Sequence, residues 1–282
     1  MDIGISTLVC SSYVSAPDRD MFHCLHLLAE LGVSAIEYND QSLPRFWADG
    51  REQLLAVARR AKELGVRLWS AHNPCDKWDL SSPDEEHRAA GLTAHRAMME
   101  ILGEMGVEHF VVHHVGPSFS RGDPDALLRA EDSLYQLLPA AEKAGVVLLI
   151  ENFVDLPANA LVETVRKLGD KHLGIVIDVG HAHHSHMPVT AEGEIYAGAP
   201  FLRSLHIHDN HGPGTGDEHL PPGWGTIDWE AVLRALREVG YAGPFMMEVI
   251  RHTDKLRALD PDEATRQSVC AARNILAKYW TR

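Results

Sequence analysis

Short apolar runs alternate along the chain with longer stretches in which apolar residues recur every three or four positions. The runs Ile3–Ser6, Ala35–Tyr38, Arg67–Ala71, His109–His113, Val146–Ile150, Leu173–Ile177, Leu202–Ile207 and Pro244–Val249 have strand length and little polar alternation. Strands buried on both faces of a parallel sheet read this way. The periodic stretches predict helices from Pro17-Asp18 to Leu31, over Arg51–Leu64, from Ser82-Pro83 to Met105, and from Asp123-Pro124 to Ala144. Others are predicted from Pro157, from Trp229 to Val239, and over Pro261–Tyr279; the connection Glu192–Ala199 is weakly helical. A recurring mark separates helix from strand: Leu31-Gly32-Val33, Leu64-Gly65-Val66, Met105-Gly106-Val107, Ala144-Gly145-Val146 and Val239-Gly240-Tyr241. Glycine suits the left-handed position just past a helix end, and the apolar residue after it opens the next strand. Strands that alternate with helices in this way predict one α/β domain over residues 1–282, a single (β/α)8 barrel. The competing open, doubly wound sheet lacks its glycine-rich phosphate loop after the first strand.

Length and composition are compatible with that fold. The chain has 282 residues, and such a barrel takes about 250. No apolar run approaches the roughly 20 residues that span a bilayer. The start MDIGISTLVCSS has no basic opening and no long apolar region, so no signal peptide is read. Cys10, Cys24, Cys75 and Cys270 are scattered without a CxxC pair. A reduced, cytoplasmic protein is expected. The formal net charge of −14 argues against a nucleic-acid partner, which calls for a basic footprint. Histidine is the anomaly: 18 residues, many at the ends of apolar runs.

The stretch Val147–Asn210 concentrates them. Its apolar runs end in Glu151, in Asp178 and His181, and in His206 and His208. In a barrel the C-terminal strand tips form the active site. Taken in order, the tips supply His72, His114, Glu151, Asp178, His181, His206, Asp217 with His219 from the long loop, and Glu248. Carboxylate and imidazole are ligands for zinc, manganese, cobalt, iron or magnesium. One ion is expected, with a second and third left open. Any one of these histidines read alone is better explained as a structural or surface group than as a ligand; the joint placement carries the reading. His113 is expected to point away from the side His114 faces, and His183, His184 and His186 to be loop residues. His208 is read as a group orienting a ligand, and Asp209 as a possible loop cap. Trp78 and Trp224 can stack on a sugar or base, or serve as core or lid.

The segments Glu151-Asn152, Asp178-Val179-Gly180-His181, His206-Ile207-His208-Asp209, Gly223-Trp224-Gly225-Thr226-Ile227-Asp228 and Glu248 resemble the xylose-isomerase-like barrel superfamily. It includes sugar isomerases and epimerases together with the abasic-site endonuclease IV family. In the ketose epimerase branch the positions matching Glu151, Asp178, His206 and Glu248 hold one divalent metal, and the two glutamates exchange a proton beside a carbonyl. The resemblance thus implies an isomerase or epimerase of a small sugar, sugar phosphate, polyol or hydroxy-keto acid, with Glu151 and Glu248 catalytic and His181, His208, Trp78 and Trp224 near substrate. The chain departs from that branch, because no arginine lies between His206 and Gly225, where the epimerases carry one that grips substrate. It has Asp217-Glu218-His219 instead, which, with His72 and His114, resembles the trinuclear zinc pattern of the endonuclease branch. The alternative is therefore a di- or trinuclear hydrolase of a small phosphate ester. Loop 73–82 offers only Lys77 and loop 209–225 no cation, so DNA is not the expected substrate. A homo-oligomer remains open.

Overall fold

The structure, a computed structural model, describes residues 1–11, 21–39, 50–73, 78–251 and 253–280. The expected helix start at Pro17-Asp18 and the loop residues Pro74 and Lys77 lie outside them. The strands are β1 (Ile3–Ser6), β2 (Ala35–Asn39), β3 (Arg67–His72), β4 (His109–Val112), β5 (Val147–Glu151), β6 (Leu173–Asp178), β7 (Leu202–His206) and β8 (Phe245–Met247). They form one sheet in the order β7-β6-β5-β4-β3-β2-β1-β8, with parallel ladders. A parallel bridge between Ile207 and Met247 joins its two ends. There Ile207 N donates to Met246 O at 2.8 Å and Glu248 N to Ile207 O at 3.0 Å. The ring is a (β/α)8 barrel, as the alternation of runs and periodic stretches predicts.

The helices are α1 (Leu8–Ser11), α2 (Met21–Glu30), α3 (Arg51–Glu63), α4 (Glu85–Met105), α5 (Pro117–Ser120), α6 (Ala126–Ala144), α7 (Ala158–Leu168), α8 (Val179–His184), α9 (Ala191–Gly198), α10 (Trp229–Glu238), α11 (Asp254–Arg257) and α12 (Pro261–Tyr279). Side-chain chemistry sets their ends. The Asp84 carboxylate accepts the Glu86 and His87 amides at the start of α4, one residue past the expected Ser82-Pro83 cap. Gly106 closes α4 at φ 76° and Gly145 closes α6 at φ 69°, a region that β-carbons disfavour. The next amides, of Val107 and Val146, turn back to Leu102 O and Ala141 O and hand the chain to β4 and β5. The weak pattern near Glu192 is a full helix, α9, because Thr190 Oγ1 caps it at Gly193 N. The short helices α1, α5, α8 and α11, of four to six residues, were not expected; elements that short show no periodicity.

The core has an outer and an inner part. The outer part packs Ile36, Tyr38, Phe110, Ile150 and Ile177 of the strands against Leu28, Met99, Leu102 and Leu137 of the helices. The inner part is small: Ala35, Trp69 and Met246 form one group, and Val111, Leu149 and Val176 another. Each buried valine, leucine or methionine among them contributes about 1.5–3 kcal/mol. Side chains two apart on a strand share a face. Ala35 therefore leads to Glu37, Val111 to His113, Leu149 to Glu151, Val176 to Asp178 and Met246 to Glu248. An apolar floor inside the barrel thus places a polar layer directly above it, at the C-terminal strand ends.

Candidate metal centre

Donor atoms of Glu151, Asp178, His206 and Glu248 all lie within 4.8 Å of one another. The first three end β5, β6 and β7, and Glu248 follows β8 directly. All four are buried. His206 Nδ1 lies 2.7 Å from Glu151 Oε1, 3.5 Å from Glu248 Oε2 and 3.9 Å from Asp178 Oδ2. Its Nε2 lies 3.0 Å from Glu37 Oε2, which also accepts Ser70 Oγ at 2.8 Å. A ring that donates Nε2–H to Glu37 turns the Nδ1 lone pair toward Glu151. Two acceptors 2.7 Å apart require a positive charge between or beside them, either a proton or a cation. Asp178 Oδ2, buried and without a hydrogen-bond partner, faces the same point. The donor chemistry, the orphan oxygen and the carboxylate behind the imidazole all fit a divalent metal.

Charge follows the same geometry. Burial pushes the Glu151 carboxyl up, but the His206 charge and hydrogen bonds from His113, His206 and His72 hold it well below the usual range. Burial pushes His206 down, yet Glu151, Glu37 and Glu248 outweigh it and hold the imidazole well above its usual value.

Three further groupings adjoin this one, and in one of them His72 joins His206 and Glu248. His72, His113 and Glu151 converge on one side, and His181, His208, Asp217 and His219 on the other. Glu151 Oε2 lies 3.2 Å from His113 Nε2 and 3.5 Å from His72 Nε2, so its two oxygens serve different groupings. The imidazoles share one device. His72 Nδ1 pairs with Asn73 O at 2.8 Å, His181 Nδ1 with Asn152 O at 2.9 Å, and His219 Nδ1 with Glu248 O at 2.8 Å. A carbonyl only accepts, so each Nδ1 carries the proton and each Nε2 is presented to the site. Asp217 Oδ2 meets two of these nitrogens, at 2.9 Å from His219 and 3.4 Å from His181. Burial lowers His219, but Asp217, Glu248 and Asp178 raise it to about 9. His208 is fully buried and stacks on His219 at 3.9 Å. Its Nε2 lies 3.0 Å from Asp178 Oδ1, and neither ring nitrogen has a hydrogen-bond partner. A β-carbon at residue 180 would overlap this ring, which explains Gly180 in the Asp-Val-Gly-His segment.

A cavity of about 320 Å³ opens above the donors, lined also by Leu8, Asn39, Phe153, Val154, His184 and Ile250. Wider grooves of about 630 and 600 Å³, between α3 and α4 and between α4 and α6, hold none of these donors. Of the residues named from sequence, the structure brings together His72, Glu151, Asp178, His181, His206, Asp217, His219 and Glu248, with His208 among them. His114 stands apart from these groupings. The register pairs Val112 with Ile150, so the next rung sets His113 beside Glu151. His114 is buried elsewhere with both ring nitrogens unpartnered, and burial holds it at about 3. Trp78 and Trp224 are likewise not among the cavity's lining residues. Trp78 packs on His95 at 5.7 Å, and the Lys255 ammonium lies 3.5 Å over the Trp224 ring. Sequence reading missed Glu37, His113 and His184. Glu37 had a visible signal, a lone carboxylate inside the apolar run Ala-Ile-Glu-Tyr.

Among the described residues no helix is long and apolar enough to cross a membrane. The chain is 27% identical over 245 residues to an L-ribulose-5-phosphate 3-epimerase of Salmonella heidelberg, covering 81% of this chain and 82% of that protein. Among solved structures it superposes on the IolI protein with a bound zinc atom at TM-score 0.81 and 20% identity, over 100% of both chains. It superposes on D-psicose 3-epimerase of Clostridium cellulolyticum H10, solved with D-tagatose, at TM-score 0.79 and 18% identity, over 98% of this chain and 99% of that one. Residues 25–275 match the xylose isomerase-like TIM barrel family. With most of its length inside that match, this chain belongs to the xylose isomerase-like TIM barrel family.

Proposed function

We propose that the chain is a divalent-metal-dependent epimerase or isomerase of a small sugar-like keto substrate. The carrying observation is the buried convergence of Glu151 and Glu248 on His206 and Asp178. Those four residues would hold the ion, and a divalent cation bound there supplies Lewis acidity to a substrate carbonyl and the hydroxyl beside it. Glu151 and Glu248 carry the proton transfer at the adjacent carbon: one removes it, leaving the electron pair in the enediolate, and a carboxylic acid returns one to carbon. His72 and His181 present Nε2 toward the cavity, where a substrate hydroxyl can bond. Phe153, stacked 5.3 Å from His181, and Ile250 form an apolar wall against the sugar's carbon face. The epimerase among the relatives supports this reading. The test offers ketoses, sugar phosphates and keto acids in deuterated water with zinc, manganese, cobalt, iron or magnesium. Deuterium entering the carbon next to the carbonyl, dependent on metal and on Glu151, is expected; no exchange on any member overturns the reading.

A second reading rests on the flanking groupings. His72 with His113, and His181 with Asp217 and His219, could hold second and third ions around the shared Glu151 carboxylate. Such a centre suits hydrolysis of a small phosphate ester. Metal content per chain separates the readings, together with phosphate release that His219→Ala abolishes.

A further inference from the structure

The long loop between β7 and α10 brings Asp217 and His219 to the cavity, and its geometry is not self-supporting. His219 is the one described non-glycine residue with positive φ, at 46°, a conformation that persists only when its surroundings impose it. Before it, Gly212, Gly214 and Gly216 take φ of 90°, 90° and 83°.

A single buried carboxylate gathers the ends of this loop. Asp209 is fully buried. Its Oδ1 accepts Asn210 N at 3.0 Å and Ile227 N at 3.2 Å; its Oδ2 accepts Gly223 N at 2.7 Å and Trp229 Nε1 at 2.9 Å. Its backbone pairs in both directions with Leu220, directly after His219, at 2.8 and 2.9 Å. Asn210 continues the tie by donating Nδ2–H to Gly180 O at 2.9 Å. The carboxylate thus fastens the loop's first residue, its return and the start of α10 to one point, while Asp217 and His219 between them line the cavity. Gly225 is needed for this fit, since a β-carbon there would overlap Asn210 O and Asp209 Oδ1.

We infer that Asp209 is a positioning residue of the site: it belongs to none of the donor groupings, yet it fixes where Asp217 and His219 stand. The inference rests on the reading that those two side chains face the bound ion or substrate. Charge-assisted bonds of this kind are roughly twice as strong as neutral ones, and the carboxylate is out of reach of competing water.

Asp209→Asn keeps the shape but sets an NH2 against two of the four donors. Trp229→Phe removes one donor and keeps most of the packing. Hydrogen–deuterium exchange on the whole resting protein is expected to accelerate about tenfold or more within residues 211–222 in Asp209→Asn, and less in Trp229→Phe, with β5 and β6 unchanged. The His219 Nδ1–H, bonded to Glu248 O, should give a slowly exchanging imidazole signal by NMR in the wild type and lose it in Asp209→Asn. Zinc held by Glu151, Asp178, His206 and Glu248 should change by less than threefold in a chelator competition. Unchanged exchange in 211–222, or equal acceleration across the strands, overturns the inference, because Asp209 would then be idle or merely a stabiliser of the whole fold. If Asp209→Asn does not fold, the exchange map of Trp229→Phe decides alone. None of these signals needs turnover, so a failed deuterium-incorporation assay would sink the epimerase reading and leave this result standing.

Discussion

Replacing Glu37 by glutamine tests whether the central imidazole is tuned for a cation. Glu37 Oε2 takes His206 Nε2–H at 3.0 Å and Ser70 Oγ–H at 2.8 Å, while Oε1 is buried and unpartnered. A glutamine oxygen at the Oε2 position keeps both bonds and loses the charge. Charged hydrogen bonds contribute about 1.5–3 kcal/mol against about 0.5–1.5 for neutral ones, so near 1 kcal/mol is lost there. The new NH2 group falls at Oε1, where no acceptor stands, and an unsatisfied buried donor costs about 1–3 kcal/mol. Part of that cost falls on the fold and part on the ion, because a less basic Nδ1 is a weaker ligand. Partners behind metal-bound histidines are typically worth 10–100-fold in affinity, which is the range expected for Glu37→Gln. The assay is zinc competition against a chromophoric chelator at fixed pH, beside urea melts of the stripped protein. Ser70→Ala, which leaves the charge in place, should weaken zinc far less. An affinity for Glu37→Gln within threefold of wild type refutes the reasoning, since His206 would then not use the carboxylate behind it.

Further outcomes follow from the same geometry. Glu151→Gln should retain ordered folding and lose deuterium exchange by about 10²–10⁴-fold in kcat, the range for a proton-transfer group; retention of more than a tenth of the rate excludes it from that role. Gly180→Ala drives a methyl into the His208 ring and should cost about 1–3 kcal/mol, read as a lower Tm that His208→Ala restores in the double variant. His114→Leu should leave metal content unchanged and keep or raise Tm, because its buried ring nitrogens have no partner to lose; loss of bound metal would return His114 to the site. Metal-stripped protein should be most stable in mildly acid solution. His219, raised to about 9, contributes stability fully present below about pH 6.5 and lost as pH climbs through 9. His181 and His206, raised well above their usual value, act in the same direction. Glu151 and Glu37, both lowered, contribute stability present above about pH 4.5 and lost as pH falls. Urea melts that show equal or greater stability at pH 9 than at pH 6 would contradict this.

The fold was legible because its signals are local. Strand β1 and helix α12 fall on the residues the pattern indicates, Ile3–Ser6 and Pro261–Tyr279. A buried parallel strand needs a continuous apolar run, and a helix that must reverse into it needs Gly106 or Gly145 at its end. The strand limits moved because the ladders run on through the donors: β3 includes His72, β5 Glu151 and β6 Asp178. A polar residue ends an apolar pattern in sequence, but it does not end a hydrogen-bonded ladder.

The site was legible where a donor closes a run, and illegible where register or distance in the chain decides. Nothing in His113-His114 says which imidazole turns inward; that depends on the β4–β5 register, which sets His113 at the level of Glu151. Local chemistry at the end of β4 cannot make that choice, because a non-local pairing governs it. Glu37 joins the site through His206, 169 residues away. Inside a barrel, alternation guarantees that a carboxylate two residues past an inward-facing alanine also faces inward. Its buried charge then has to find a cationic partner there. The floor residues Ala35, Val111, Leu149, Val176 and Met246 therefore carry as much information about the site as the donors do. Once the register is known, each points two residues ahead to a member of the polar layer, and Glu37 and His113 are the two members that this rule recovers and strand-end chemistry alone does not.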